Sequence, residues 1–402
     1  MEIKLTLPVD ASNLRDEVTR AHNILHDRKG GAHKNWVGWM DLPSQAAELV
    51  ADVKAAAHWV RKNCDALLVL GTGGSFFGAA AVIDLLRGVD NNLWNTPQVF
   101  FFGHALDAQE MANAVKLVET KSVAINIISK SGTTLEPAMA FEALFKAMSK
   151  KYPAAQLQKR IICTTDKEKG TLKQFANKHN LKTFVVPDDV GGRYSVLSPV
   201  GLFPIAVAGV DVTMLLEGAG IAAKKYGVSD VTKNDCYRYA AARLALARKK
   251  YALDLFCLTN PNATKFGNWL CQLFAESEGK GGHGVFPSVA VYPRDLHSIG
   301  QFIQDGSKIL FETFIHFSLE DNTRFNAVNN IVYEAAKKAH TVGKTPIISI
   351  ETKKLDEQSV GYLIYFFELA CAMYCVMLGV DPFNQPGVEE YKKHTLEALA
   401  KL

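Results

Sequence analysis

This sequence of 402 residues contains no CxxC pair, no HExxH and no cluster of His and Cys ligands. The common zinc patterns are thereby excluded, and neither a metal nor another cofactor is expected. The seven cysteines (64, 163, 236, 257, 271, 371 and 375) are scattered and odd in number. They do not form a disulfide framework, which points to a reducing compartment and a cytoplasmic location. Cys371 and Cys375 lie one helical turn apart, but inside an apolar run they read as core. His22 and His26, four residues apart, read as a packing or surface pair. Net charge is sparse too, at +4. That argues against nucleic-acid binding and leaves room for a local anion site. Residues 1–10 lack the apolar core of a signal peptide. Residues 361–378 approach membrane length but carry Glu368 at their middle, so a buried helix is expected and no membrane contact. Low-complexity linkers and short-period repeats are also missing.

What is present is a soluble composition, 48% hydrophobic and 21% charged. Two domains are expected, because single cores stop growing at roughly 250–300 residues. Residues 1–60 read as a helical N-terminal arm. From Ala66 short apolar runs alternate with helical segments. Strands are expected at 66–70, 99–102, 123–128, 160–164 and 183–186, within a first α/β unit at 61–190. A mostly helical connection spans 191–250. A second α/β unit at 251–385 has strands expected at 254–258, 289–292, 309–316 and 347–350. A short C-terminal helix follows at 386–402. Continuous apolar strands between helices signal mainly parallel sheets covered on both faces, hence two three-layer α/β/α sandwiches. Such sheets bind ligands beyond the carboxyl ends of their strands.

Three loops carry the chemistry. In the first, an apolar run ends at Ile128 in SKSGTT (129–134), where a strand hands over to a helix. First-turn amides lack intrahelical partners and the helix dipole adds positive charge, so an anion docks there readily. Thr133 and Glu136 have capping-box spacing. The second loop is GTGGSFFG (71–78). Position 76 is Phe where a dinucleotide fingerprint needs Gly, and no Lys-Ser or Lys-Thr pair follows. It reads as a turn bringing a ligand to backbone amides, with Ser75 at the helix start, or equally as a tight packing turn. Beside SKSGTT, two loops on one small phosphorylated ligand is the better reading. The third loop is Gly191-Gly192-Arg193, which reads as a surface arginine after a turn or as a fixed cation of planar geometry that can hold phosphate or stabilise an enediolate.

GGRYSVLSPVGL (191–202), FNQPGVEEYK (383–392) and SKSGTT resemble signatures of the glucose-6-phosphate isomerase family, built of sugar isomerase domains. The matching motifs span about residues 66–392. The resemblance implies an enzyme interconverting glucose 6-phosphate and fructose 6-phosphate in glycolysis and gluconeogenesis, with a sugar phosphate as its small-molecule partner. It implies that Gly74, Ser75, Ser129, Lys130, Ser131 and Thr134 bind substrate, mostly at its phosphate. Arg193 would stabilise the enediolate. In QLFAESEGK (272–280), Glu276 would be the base and Gln272 would line the same face. His297, in DLHS (295–298), and Lys392 would open the sugar ring. The family takes this histidine from the neighbouring subunit, so a homodimer with shared sites is implied.

The chemistry agrees in kind. Moving a proton between adjacent carbons needs one base that serves both, and a carboxylate suits. Ring opening needs a separate acid-base group, which histidine can supply. Without the resemblance, Glu278 would be as good a carboxylate as Glu276, and ten other histidines compete with His297. There are departures. The chain is short for the family, Thr72 stands where an apolar residue is common, and Glu278 stands where Asn is common. A Glu278 lying close to Glu276 would disfavour a second negative charge there. Two rival readings remain: an isomerase that also accepts the mannose epimer, and a non-catalytic sugar-phosphate sensor. The joint presence of Glu276, Arg193, His297 and Lys392 argues against the sensor.

Overall fold

The computed structural model describes residues 3–27, 35–45, 47–317 and 323–401. Among these, ten strands form two five-stranded sheets. They are β1 (Ile3–Thr6), β2 (Ala66–Leu70), β3 (Gln98–Phe102), β4 (Val123–Ile128), β5 (Ile161–Thr165), β6 (Lys182–Val185), β7 (Leu253–Leu258), β8 (Phe286–Val291), β9 (Leu310–Phe317) and β10 (Ile347–Thr352). The first sheet has the order β3-β2-β4-β5-β6 and is parallel throughout. The second has the order β1-β10-β9-β7-β8 and is parallel except at β1. Helices cover both sheets. Every residue of β2, β4, β5 and β9 is buried, as continuous apolar runs in two-sided parallel sheets require.

The N-terminal arm departs from the helical expectation. Its residues Ile3–Thr6 form β1, which pairs antiparallel with β10, Ile3 opposite Thr352 and Thr6 opposite Ser349. Helices Arg15–His26 and Ala47–Asn63 then follow. A four-residue edge strand has too short a pattern to declare itself, and its partner lies far along the chain. β8 begins three residues before the expected 289, because Pro287 reads as a break. An edge strand tolerates that proline.

Among the described residues, the helix Glu357–Leu378 is the one long and apolar enough, by length and composition, to cross a membrane. It is instead the buried centre of the molecule, packed against the helices Val212–Tyr226 and Asp235–Arg248. Asp356 caps its start by accepting from the Ser359 amide, and Gly379 ends it in the left-handed conformation. Residues 191–250 run through three helices, Pro199–Val207, Val212–Tyr226 and Asp235–Arg248, with a short turn at Gly192–Tyr194 before them. The helix Thr264–Glu278 packs on the Phe77–Arg87 helix of the first unit. That contact brings the second unit's helix to the loops of the first.

Candidate active site

The hydroxyl-rich loop expected to cradle an anion follows the carboxyl end of β4, which neighbours β2. The Ser129 amide continues the ladder by donating to the Thr164 carbonyl at 3.1 Å. Its buried Oγ accepts from the Gly132 amide at 3.0 Å and lies 3.4 Å from the Thr134 hydroxyl. Ser131 Oγ accepts from the Thr133 amide at 3.2 Å and pairs with the Thr133 hydroxyl at 2.9 Å. Gly132 has φ +78°, and a Cβ there would stand 2.4 Å from the Leu172 nitrogen. No other residue fits, because two backbones meet at that point.

The expected capping box does not form. The following helix starts at Leu135 with Thr134 at its N-cap and no side-chain cap, and the Thr133 hydroxyl turns back to Ser131. The local Ser-x-Thr contact outcompetes the cap, which leaves the helix end open to a ligand. Lys130 Nζ spans to Asp188, 3.0 Å from its carboxylate and 3.3 Å from its carbonyl. It thus ties the cradle to the loop that leads into Arg193.

Arg193 is the centre of a second group. It is only 3% exposed, and every guanidinium nitrogen is engaged. Nε donates to Ser277 Oγ at 2.8 Å. One terminal nitrogen donates to Glu276 Oε2 at 3.2 Å and to Gln385 Oε1 at 3.0 Å. The other donates to the carbonyls of Pro382 at 2.6 Å and Asn384 at 3.0 Å. A planar fork satisfied in this way has a fixed orientation, which a lysine could not reproduce. Gln272, one turn before Glu276, donates to Glu276 Oε1 at 3.2 Å. Both carboxylate oxygens are therefore held, while the side chain stays 35% exposed. Lys280 has its pKa lowered, first by burial and then by the Arg193 charge.

The glycine loop after β2 closes on this group. A Cβ at Gly74 would lie 1.9 Å from the Gly192 carbonyl oxygen, so the first loop and the arginine loop touch backbone to backbone. Ser75 ends the short turn Gly73–Ser75. The structure thus brings Gly74, Gln272, Glu276 and Arg193 together. The cradle residues sit on the strand neighbouring β2.

His297 and Lys392 are not part of this cluster. His297 is exposed in the turn Arg294–His297, beyond the carboxyl end of β8. Glu276 lies at the other end of β8, since two residues later Glu278 accepts from the Val285 amide just before that strand begins. Six residues of strand separate these ends by about 17–20 Å. Lys392 is exposed on the helix Glu389–Leu399, where it donates to Glu389 at 2.9 Å. Glu278 does not lie against Glu276 either. Residues two apart point to different helix faces, and Glu278 is turned into the core toward Arg243. Sequence reasoning missed Ser277 and Gln385. Both stood inside quoted motifs, but a serine and a glutamine carry no signal until the arginine finds them. A cavity of about 720 Å³ behind the cradle, lined by Ile127, Gly132, Phe141 and Phe175, shares no residue with the Arg193 group.

Two mainly parallel α/β units, packed helix to helix beside an arginine-held carboxylate, with a hydroxyl-rich loop on the first unit, have the architecture of the sugar isomerase class. A structure of a hypothetical protein from Thermus thermophilus has the same fold, with a TM-score of 0.88 at 23% identity over 99% of this chain and 100% of that one. So does a glucose-6-phosphate isomerase from Chlamydia trachomatis, at 0.84 and 17% identity over 99% and 88%. The phosphoglucose isomerase family model matches residues 44–332. A glucose-6-phosphate isomerase of Acetivibrio thermocellus is 42% identical over 96% of this chain and 91% of its own length. One from Clostridium novyi is 41% identical over 98% and 92%. The chain belongs to the phosphoglucose isomerase family. The match leaves less than a tenth of each relative's length uncovered.

Proposed function

We infer that this chain interconverts glucose 6-phosphate and fructose 6-phosphate, passing the proton through a cis-enediolate. The carrying observation is the Arg193 group: a carboxylate with both oxygens oriented, beside a saturated guanidinium, next to an anion cradle. The cradle of Ser129, Ser131 and Thr134 holds the phosphate, with Lys130 adding charge at its edge. Gly74 and Ser75 admit the sugar to backbone amides. Glu276 takes the proton from C2 of the open-chain aldose and returns it to C1. Arg193 and Gln272 keep that carboxylate aimed, and Arg193 offsets the charge that develops on the enediolate oxygens. No cofactor enters these steps.

Ring opening falls to Lys392 and to His297 of a second copy. The length of β8 keeps a chain's own His297 away from its own Glu276. Exposed Ile299 and Phe302 next to His297, and exposed Tyr391 and Leu396 on the Lys392 helix, support a homodimer that covers them. The seven free thiols support a cytoplasmic site of action.

The test is a coupled assay for glucose 6-phosphate formed from fructose 6-phosphate. Wild type is expected to turn over. Glu276→Gln is expected to lose on the order of 10³-fold in kcat while substrate binding is largely kept. Near-normal turnover in that variant refutes the assignment.

A further inference from the structure

Between Glu276 and β8 the chain crosses a loop, residues 279–284, that contains four glycines. Gly281, Gly282 and Gly284 all have positive φ, at +59°, +76° and +112°. Glycines in such conformations leave the backbone many alternatives. Yet this loop is attached directly to the helical turn that carries Glu276 and Ser277. Something must hold that turn still.

The side chain at the junction is Glu278. It is 1% exposed. Its Oε1 accepts from the Arg243 guanidinium, and its Oε2 accepts from the Val285 amide at 2.8 Å. It therefore staples the beginning of the glycine loop to its end. Arg243 lies on the helix Asp235–Arg248, is fully buried, and also pairs with Asp254 of β7. The Asp254 carboxylate accepts in turn from the Thr313 hydroxyl of β9 at 2.7 Å. The rings of Phe274 and Tyr374 flank the guanidinium at 4.5 and 5.0 Å. The staple is thus anchored in three elements of the second unit. On the other side of the same turn, Lys280 donates to the Ser277 carbonyl at 2.9 Å and to the Asp381 carbonyl, next to the segment that holds Arg193.

We propose that Glu278 is a positioning residue for the isomerase reaction: clamped by Arg243 and the Val285 amide, it fixes the last turn of the helix Thr264–Glu278, and with it Glu276 and Ser277. This rests on the reading of Glu276 as the base. Two buried carboxylates against one guanidinium are a costly arrangement for stability alone. Burial pushes the Asp254 carboxyl up to about 6 despite the adjacent Arg243, which reflects that cost. A staple that orients a base accounts for keeping it, because small misplacements of a catalytic group reduce rate sharply.

The experiment compares full-length wild type, Glu278→Gln and Glu278→Ala in fructose 6-phosphate turnover. A phosphorylated aldonic acid, whose planar carboxylate imitates the enediolate, and inorganic phosphate serve as binding probes. Glu278→Ala is expected to lose kcat on the order of 10- to 100-fold. Its KM should stay within about twofold of wild type, the mark of an interaction felt in the transition state. Affinity for the aldonic acid should fall with kcat/KM, while affinity for phosphate alone holds. Glu278→Gln keeps an oxygen for the Val285 amide and should rescue part of the loss. Equal loss of phosphate affinity means general loosening and overturns the proposal. So does wild-type kcat in a folded Glu278→Ala. Should that variant not fold, wild-type kcat and pH profile in Glu278→Gln overturn it instead. Absence of turnover in wild type overturns the parent reading as well, whereas wild-type turnover with both variants unchanged overturns this proposal alone.

Discussion

The two sheets place their functional groups at opposite ends. The first follows the general rule for parallel sheets: its cradle and its glycine loop stand beyond the carboxyl ends of β4 and β2. The second delivers Glu276 from the last turn of a crossover helix, near the starts of its strands, while its carboxyl-end loop carries His297 into solvent. A parallel sheet has one face of loops suited to ligands. A chain with two such sheets must choose which ends meet. Here the helix Thr264–Glu278, packed on the first unit, reaches the first sheet's loops. On the proposed reading, the second sheet's own carboxyl end, with His297, serves the site of a second copy.

That asymmetry can be broken first at His297. His297→Ala is expected to lose on the order of 10²-fold in kcat, the scale of one acid-base group. Mixing it with Glu276→Gln under exchange conditions should restore about a quarter of the wild-type sites, because half the dimers are mixed and each holds one intact site. No recovery on mixing would mean that each chain completes its own site.

The next largest effect concerns the Arg193 centre. Arg193→Lys removes a planar fork with five acceptors and leaves a point charge. The expected loss is roughly 10- to 100-fold in kcat, with KM less affected. An unchanged kcat would separate Arg193 from the chemistry and leave it a structural tie between Glu276 and residues 382–385.

A smaller change belongs to the cradle. Ser131→Ala should raise KM for fructose 6-phosphate roughly tenfold, the low end for one lost hydrogen bond to a charged group, with kcat nearly constant. A fall in kcat at constant KM would show that the cradle acts on the reacting carbons, erasing the division between handle and chemistry.

The core helix provides the control with the least effect on turnover. Both Glu368 oxygens lack partners among the described residues, and burial, followed by the nearby Cys371, holds the carboxyl pKa well above 4.5. The unfolded chain ionises above about pH 4.5 and the folded one does not, so wild-type stability falls as pH rises from there toward the folded pKa. Glu368→Gln removes that loss. Its stability gain should grow by roughly 1.4 kcal/mol per pH unit over that window, with turnover unchanged. A gain that is constant between pH 5 and 8 would contradict this.

Much of this is legible in the sequence. The strands β2, β4, β5 and β9 are marked by largely apolar runs, because burial on two faces demands hydrophobicity along the strand. The cradle was marked by its hydroxyls and the arginine loop by its glycines. Other features were silent for physical reasons. Ser277 and Gln385 act by accepting hydrogen bonds from a residue far away in sequence. Glu276 and Glu278 have equal composition, and only helix geometry sends one to Arg193 and the other to Arg243. Thr133 and Glu136 had the spacing of a cap, but a closer hydroxyl took the bond.

The sequence by itself determined the two α/β units, the hydroxyl-rich loop at a helix start and the buried nature of residues 361–378. These depend on local periodicity and on the chemistry of short segments. Tertiary structure decided which carboxylate meets the arginine, that Gly74 and Gly192 touch, and that His297 stands a strand's length from Glu276. Those follow from helix faces and from how the second unit docks on the first. Such contacts join residues remote in sequence, and no local pattern encodes them.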